Sequence, residues 1–217
     1  MQLFRNKHHD FDPLWHAQAV LLIVVVLQLL LPTDLTLFPK PVLPALEVLC
    51  MVVLQLVTPK QAVYESRFRR LVVMALITLV LVANISSLEL VLHALFTADK
   101  NNAVQLLLSA LNIYITNIVV FGLFYWEMDN GGPGARRRDD AEGRDFLFPQ
   151  QNLGYHLKSK WYPTFFDYLY TSITNGTAFS PTDTLPLSRR AKFLMGVQAV
   201  VSLLVVVLVA ARAINVL

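Results

Sequence analysis

Five blocks of apolar residues, each long enough to cross a lipid bilayer as a helix, constrain the fold of this chain most. They cover residues 15–31, 41–57, 71–95, 104–126 and 191–211. A spanning helix needs about 17–25 predominantly apolar residues. The blocks are apolar on all sides, which disfavours strands of a soluble sheet. Charged residues make up only 15% of the chain, against roughly 25% in a soluble domain. We expect an all-α integral membrane protein with five transmembrane helices.

The chain divides at the fourth block. Residues 1–103 are expected to form a three-helix peripheral bundle, and residues 104–217 a pore-like module. That module comprises a helix, a polar loop over 127–162, a re-entrant segment over 163–183 and the last helix. The loop contains G-G-P-G-A-R-R-R-D-D-A-E-G-R-D, a composition that predicts a mobile segment without a core. Its three arginines, Arg136, Arg137 and Arg138, are interpreted as solvated topology signals, with a lipid-headgroup or partner site as the alternative.

The segment before the last block has the pattern of a re-entrant pore loop. Pro163 suits a first helical turn. About twelve residues of helix extend roughly 18 Å, which reaches mid-membrane without crossing it. Asn175-Gly176 is predicted to end this helix. From Thr177 to Asp183 the chain offers hydroxyl and carbonyl groups, the chemistry of ion filters.

Two sets of residues are candidates for ion contact. The filter-like set is Thr174, Asn175, Gly176, Thr177, Phe179, Ser180, Pro181, Thr182 and Asp183. The possible pore-lining set is Asn112, Thr116, Gln198 and Ser202, for which hydrogen bonding between helices is the alternative. Asp183 either attracts cations at a pore mouth or caps the interface and pairs with Arg189 or Arg190.

Acidic residues also occur inside apolar segments. Asp167 lies within the short helix, where an unpaired carboxylate is costly, so we expect a buried partner. Glu47 and Glu89 fall near the ends of the second and third blocks. For these two, a shallow position without a special role is favoured over a proton or ion relay.

The C-terminal fifty residues resemble two families. Laid ungapped, T-A-F-S-P-T-D-T-L-P is similar to T-T-V-G-Y-G-D-x-x-P of two-helix potassium channels, with matches at Thr177, Asp183 and Pro186. The Ser180-Pro181-Thr182 tripeptide stands where those channels have Gly-Tyr-Gly. Glycines there permit the backbone angles that turn carbonyls toward the ion, whereas proline fixes its own. The resemblance therefore implies a pore module with a degenerate filter.

The second resemblance is to an uncharacterised family of bacterial predicted membrane proteins with the signature Y-x-S-x-T-x-G-x-T-F-x-x-S-D. The matching residues are Tyr170, Ser172, Thr174, Gly176, Phe179, Asp183, Arg189 and Arg190. This resemblance implies a re-entrant loop before the last helix and a bacterial cytoplasmic (inner) membrane location. It carries no settled activity.

The distribution of basic residues predicts an orientation. If the N-terminus is cytoplasmic, fifteen of the 18 Lys and Arg residues lie inside and only Lys40, Lys100 and Arg212 lie outside. Cytoplasmic loops carry such an excess of positive charge. The N-terminus and the 127–192 region are therefore expected to be cytoplasmic.

Taken together, these patterns favour a pore-loop ion channel with weakly selective conduction of monovalent cations. One subunit cannot close such a pore, so a homo-oligomer, a tetramer for a channel, is expected. The alternative is a non-conducting structural or regulatory membrane protein whose re-entrant segment only packs. We expect no enzyme activity, cofactor, metal site or nucleic-acid binding, because no catalytic or phosphate-binding motif occurs. The lipid bilayer is the expected partner.

Overall fold

The computed structural model describes residues 14–36, 39, 41–57, 67–97, 103–133, 135–138, 143–152, 161–177 and 184–216. Helices dominate this part of the chain: α1 Leu14–Leu30, α2 Val42–Val57, α3 Arg67–Thr97, α4 Ala103–Met128, α5 Pro149–Asn152, α6 Phe165–Gly176 and α7 Arg189–Val216. Two short strands, β1 Phe146–Leu147 and β2 Leu185–Pro186, pair antiparallel with Phe146 opposite Pro186. Short 3₁₀ turns cover Thr33–Leu35, Asp129–Gly131 and Ala135–Arg138.

Within the described residues, three helical segments are long and apolar enough to cross a membrane. They are Arg70–Ala94 in α3, Val104–Gly131 in α4 with the turn after it, and Arg189–Ala210 in α7. The expectation of a helical membrane protein is confirmed in this coarse form. The first two apolar blocks also form helices, α1 and α2, of 17 and 16 residues. The number of spans, five, stays a prediction.

Helix α4 lies at the centre of the described structure. It packs against α1, α3, α6 and α7. In its most apolar stretch 67% of the residues are buried, against 33% in the corresponding stretches of α3 and α7. Close approach of α6 requires Gly122, since a Cβ added there would lie 3.2 Å from the Leu169 Cα. Aromatic side chains fill the core on one half of α4, including Phe121, Tyr125 and Trp126.

The connection after α4 begins with a tight chain reversal. Asn130, Gly131 and Gly132 have φ angles of 49°, 81° and 96°, a left-handed run that glycine and asparagine tolerate best. Beyond it, Phe146 and Phe148 are buried against the aromatic core. The expectation of a coreless loop is therefore wrong for residues 127–133, 135–138 and 143–152. Residues 139–142 and 153–160 lie outside the described part of the chain.

Candidate functional site

Helix α6 begins at Phe165, two residues later than the sequence predicts, and ends at Gly176 as predicted. Thr164, not Pro163, precedes its first residue, and the Asp167 carboxylate accepts hydrogen bonds from the Thr164 N–H at 2.7 Å and hydroxyl at 2.8 Å. Such an arrangement satisfies a free helix N-terminus. The partner of Asp167 is thus its own helix cap at a solvent-accessible position, and the expectation of a buried partner is wrong.

The two faces of α6 differ in chemistry. The buried face carries Phe165, Tyr168, Thr171, Ser172, Asn175 and Gly176. The opposite face exposes Phe166, Tyr170 and Ile173. An amphipathic helix normally turns its apolar side inward, whereas here polar groups of the C-terminal half point into the protein. Those groups need hydrogen-bond partners because unpaired buried polar atoms are costly.

Gln198 of α7 supplies most of these partners. Its side-chain oxygen accepts hydrogen bonds from the Tyr125 hydroxyl at 2.6 Å and from the Asn175 amide at 2.8 Å. Its amide nitrogen donates to the Ser172 hydroxyl at 2.7 Å and to the Ser172 carbonyl at 2.9 Å. Gln198 is fully buried. One side chain therefore joins α4, α6 and α7.

Further bonds fix the C-terminal end of α6. The Tyr114 hydroxyl of α4 donates to the Gly176 carbonyl at 3.2 Å, and the Ser172 hydroxyl donates to the Ile118 carbonyl at 2.6 Å. A Cβ added at Gly176 would lie 3.2 Å from Ser202 Oγ. Gly176 is therefore the last residue of the helix and permits close packing, and the prediction that α6 ends at Asn175-Gly176 is confirmed.

A second polar cluster surrounds Asp129 at the other end of α6. One carboxylate oxygen of Asp129 accepts bonds from the backbone N–H groups of Asp145, at 2.7 Å, and Phe146, at 3.2 Å. The other accepts a bond from the Tyr168 hydroxyl. Burial raises the pKa of Tyr168 well above its ordinary value, so the phenol keeps its proton and donates.

Arg136 completes this cluster. Its guanidinium donates to the carbonyls of Trp126 and Asp129 and lies 4.8 Å from the centre of the Tyr168 ring, a cation–π distance. Arg136 is buried, so its interpretation as a solvated topology signal is wrong. One signal of this cluster is present in the sequence, the apolar F-L-F-P at 146–149 inside an otherwise polar loop.

Only part of the candidate ion-contact set can be located. Thr174, Asn175, Gly176 and Thr177 form the last turn of α6 and its cap. Phe179, Ser180, Pro181, Thr182 and Asp183 lie outside the described residues. The hydroxyls of Thr174 and Thr177 bond to carbonyls of their own helix, those of Tyr170 and Ile173, at 3.1 and 3.0 Å.

The candidate pore-lining residues are buried within one chain and fall into two groups. Gln198 and Ser202 belong to the α4–α6–α7 contact, where Asn117 donates to Ser202 Oγ at 3.0 Å. Asn112 and Thr116 face the other side of α4. The Asn112 amide donates to the Leu27 carbonyl of α1 at 2.8 Å. The structure does not bring the two groups together.

Comparison with known proteins adds no family to this description. No protein family, characterised protein or solved structure matches the chain. Both resemblances of the C-terminal segment therefore stay predictions, and the geometry of α4, α6 and α7 carries the functional argument alone.

Proposed function

We propose that α4, α6 and α7 form a pore-loop-type module for cation permeation, in which α6 is a re-entrant half-helix. One observation carries the proposal: the C-terminal end of α6 lies beside Tyr114 and Ile118, at the middle of α4. Its N-terminal end lies beside Trp126, where the two rings of Phe165 and Trp126 are 6.0 Å apart. A half-length helix that ends at mid-depth is what a pore loop requires.

The position at which the described chain resumes after α6 supports the same re-entrant arrangement. Thr184, the first described residue after Thr177, has its hydroxyl 3.1 Å from that of Thr171. The next residues, Leu185 and Pro186, pair with β1 near the start of α6. The chain thus leaves α6 at the middle of α4 and comes back alongside the first half of α6.

The end of α6 has the right electrostatics for a cation. A helix C-terminus carries about half a negative charge, because its last carbonyls lack partners within the helix. The C-terminal end of α6, at Asn175, Gly176 and Thr177, therefore carries this partial negative charge beside the middle of α4, where the Tyr114 hydroxyl donates to the Gly176 carbonyl. In this proposal the ion contacts the 177–183 loop, and Gln198 and Ser202 hold α6 in place instead of lining the pore. Closure of the path requires several copies around an axis, with the bacterial inner membrane as the proposed location.

Flux through liposomes tests the proposal. Purified protein is reconstituted, and monovalent cation flux is compared for the wild type, Thr177→Val and Asp183→Asn. The control is Asp34→Asn, which removes an exposed carboxylate in the Thr33–Leu35 turn. Conduction that falls in the first two variants but persists in the control is expected. Flux that is equal in all four proteins would contradict the assigned loop.

A second candidate is a non-conducting structural or regulatory membrane protein. The Gln198 contacts favour it, since they satisfy the polar groups of α6 inside a single chain and leave apolar Phe166, Tyr170 and Ile173 outside. No flux from a well-folded sample, beside a conducting channel control, would establish this candidate in place of the first.

A further inference from the structure

Glu47 of α2 and Gln28 of α1 form a buried polar pair outside the α4–α6–α7 module. Glu47 is only 2% exposed. The Gln28 amide donates one hydrogen bond to Glu47 Oε1 at 2.7 Å. The remaining oxygen of each side chain, Glu47 Oε2 and Gln28 Oε1, is buried and has no hydrogen-bond partner among the described residues. One hydrogen bond thus joins two planar groups, each with an unsatisfied acceptor.

The missing group at this site is a donor. Both unsatisfied atoms are acceptors, and an ionised carboxylate offers no proton. Burial of an unpaired carboxylate costs far more than burial of a neutral acid, because the charge loses its hydration. Among the described residues Glu47 has no cationic partner, and its one hydrogen bond is that from Gln28.

A cavity adjoins Gln28 and offers space for water. Its volume is about 40 Å³, and it lies between α1, α2, α3 and α4. Its lining is mostly apolar, with polar groups from Gln28, Thr36, Asn84, Ser87 and Thr116, and no lining residue is charged or titratable at ordinary pH. A space larger than about 10–15 Å³ that is bordered by several polar groups can hold a water molecule, and such a water reaches the pair from the side of Gln28, since Glu47 does not line the cavity.

We propose that Glu47 and Gln28 form a proton-binding site. A hydronium ion gives one proton to Glu47 Oε2 and remains as water, the carboxylate becomes neutral, and the new O–H donates to Gln28 Oε1. Gln28 then holds the acid through its amide N–H on the other oxygen. The site is independent of cation permeation by α6, because its residues belong to α1 and α2.

Infrared spectroscopy of the reconstituted protein tests the site. The wild type at neutral pH is expected to show a carbonyl stretching band of a protonated carboxylic acid. Glu47→Gln should lose this band. Glu89→Gln, which removes an exposed carboxylate from α3, should keep it. Gln28→Leu should keep the band but shift it to higher frequency, because one hydrogen bond to the acid carbonyl is lost.

Three results would overturn the proposal. One is a wild-type spectrum without a band that depends on Glu47, which would show that the carboxylate stays ionised. Another is loss of the band when sodium replaces choline in the buffer at constant pH, which would show that the site binds a metal cation. The third is an unchanged band frequency in Gln28→Leu. This variant also tests the proposal if Glu47→Gln fails to fold.

Discussion

The guanidinium of Arg190 donates two parallel hydrogen bonds to the buried carboxylate of Asp145, from Nε to Oδ1 at 2.6 Å and from Nη2 to Oδ2 at 2.9 Å. The Asp145 side chain is 1% exposed and that of Arg190 58% exposed. Asp145 also donates its N–H to Asp129 and accepts the Leu187 N–H through its carbonyl. The pair therefore ties the segment after α4 to the start of α7.

Removal of the arginine should destabilise the protein. Arg190→Met leaves the Asp145 carboxylate buried without its cation, and we expect a loss of about 1–3 kcal/mol in the free energy of unfolding. Denaturant unfolding in mixed micelles measures it. Arg189→Met is the matched control, because Arg189 is exposed and adjacent in the chain. Equal stability of the two variants would show that the pair contributes nothing.

Gln198→Leu tests the connection between α4, α6 and α7. The change keeps the approximate volume but leaves the Tyr125 hydroxyl, the Asn175 amide and the Ser172 hydroxyl short of a partner. We expect a loss of roughly 2–4 kcal/mol, since each unsatisfied buried group costs about 1–3 kcal/mol and neighbouring groups partly compensate. Thermal unfolding in detergent should show a lower Tm. Gln105→Leu, at an exposed position of α4, should leave the Tm nearly unchanged, and a similar Tm for both variants would argue against the network.

Two glycines should respond oppositely to alanine. At Gly176 a Cβ would meet Ser202 Oγ at 3.2 Å and Ile118 Cγ1 at 3.3 Å, so Gly176→Ala should cost about 1–3 kcal/mol through overpacking. Around Gly196, apart from its chain neighbours and the backbone of its own helix, no atom of the described residues lies within 4 Å of such a Cβ. Gly196→Ala should therefore be neutral or stabilise α7 by up to about 1 kcal/mol. Unfolding of the two variants under identical conditions measures the difference, and a harmless Gly176→Ala would refute close packing there.

Helix positions could be predicted from this sequence because apolar length is a local property. The block at 104–126 became α4, Ala103–Met128, and the short segment before the last block became α6. The partners of individual side chains could not be predicted, since they depend on residues distant in the chain. Gln198 meets Tyr125 across 73 positions, and no spacing rule connects them.

The region after α4 shows a second limit of prediction from the sequence, which concerns buried charges. A run of arginines and acids indicates a solvated surface by composition, yet Arg136 stacks on Tyr168 and Asp145 is fully buried. Buried charges of this kind are tolerated only when each finds partners. The partners of Asp145 include Arg190, which lies beyond α6, so the loop alone could not reveal them.

The depth of α6 in the membrane tests the central claim most directly. Nitroxide labels at Phe166→Cys, Tyr170→Cys and Ile173→Cys, all on its exposed face, would be placed singly in a Cys50→Ser background. Collision with oxygen and with a water-soluble nickel complex reports the depth of each label. A re-entrant helix predicts that depth increases steadily from 166 to 173, by about 10 Å at 1.5 Å per residue. Equal depth at all three positions would show a helix lying flat at the interface and would contradict the account.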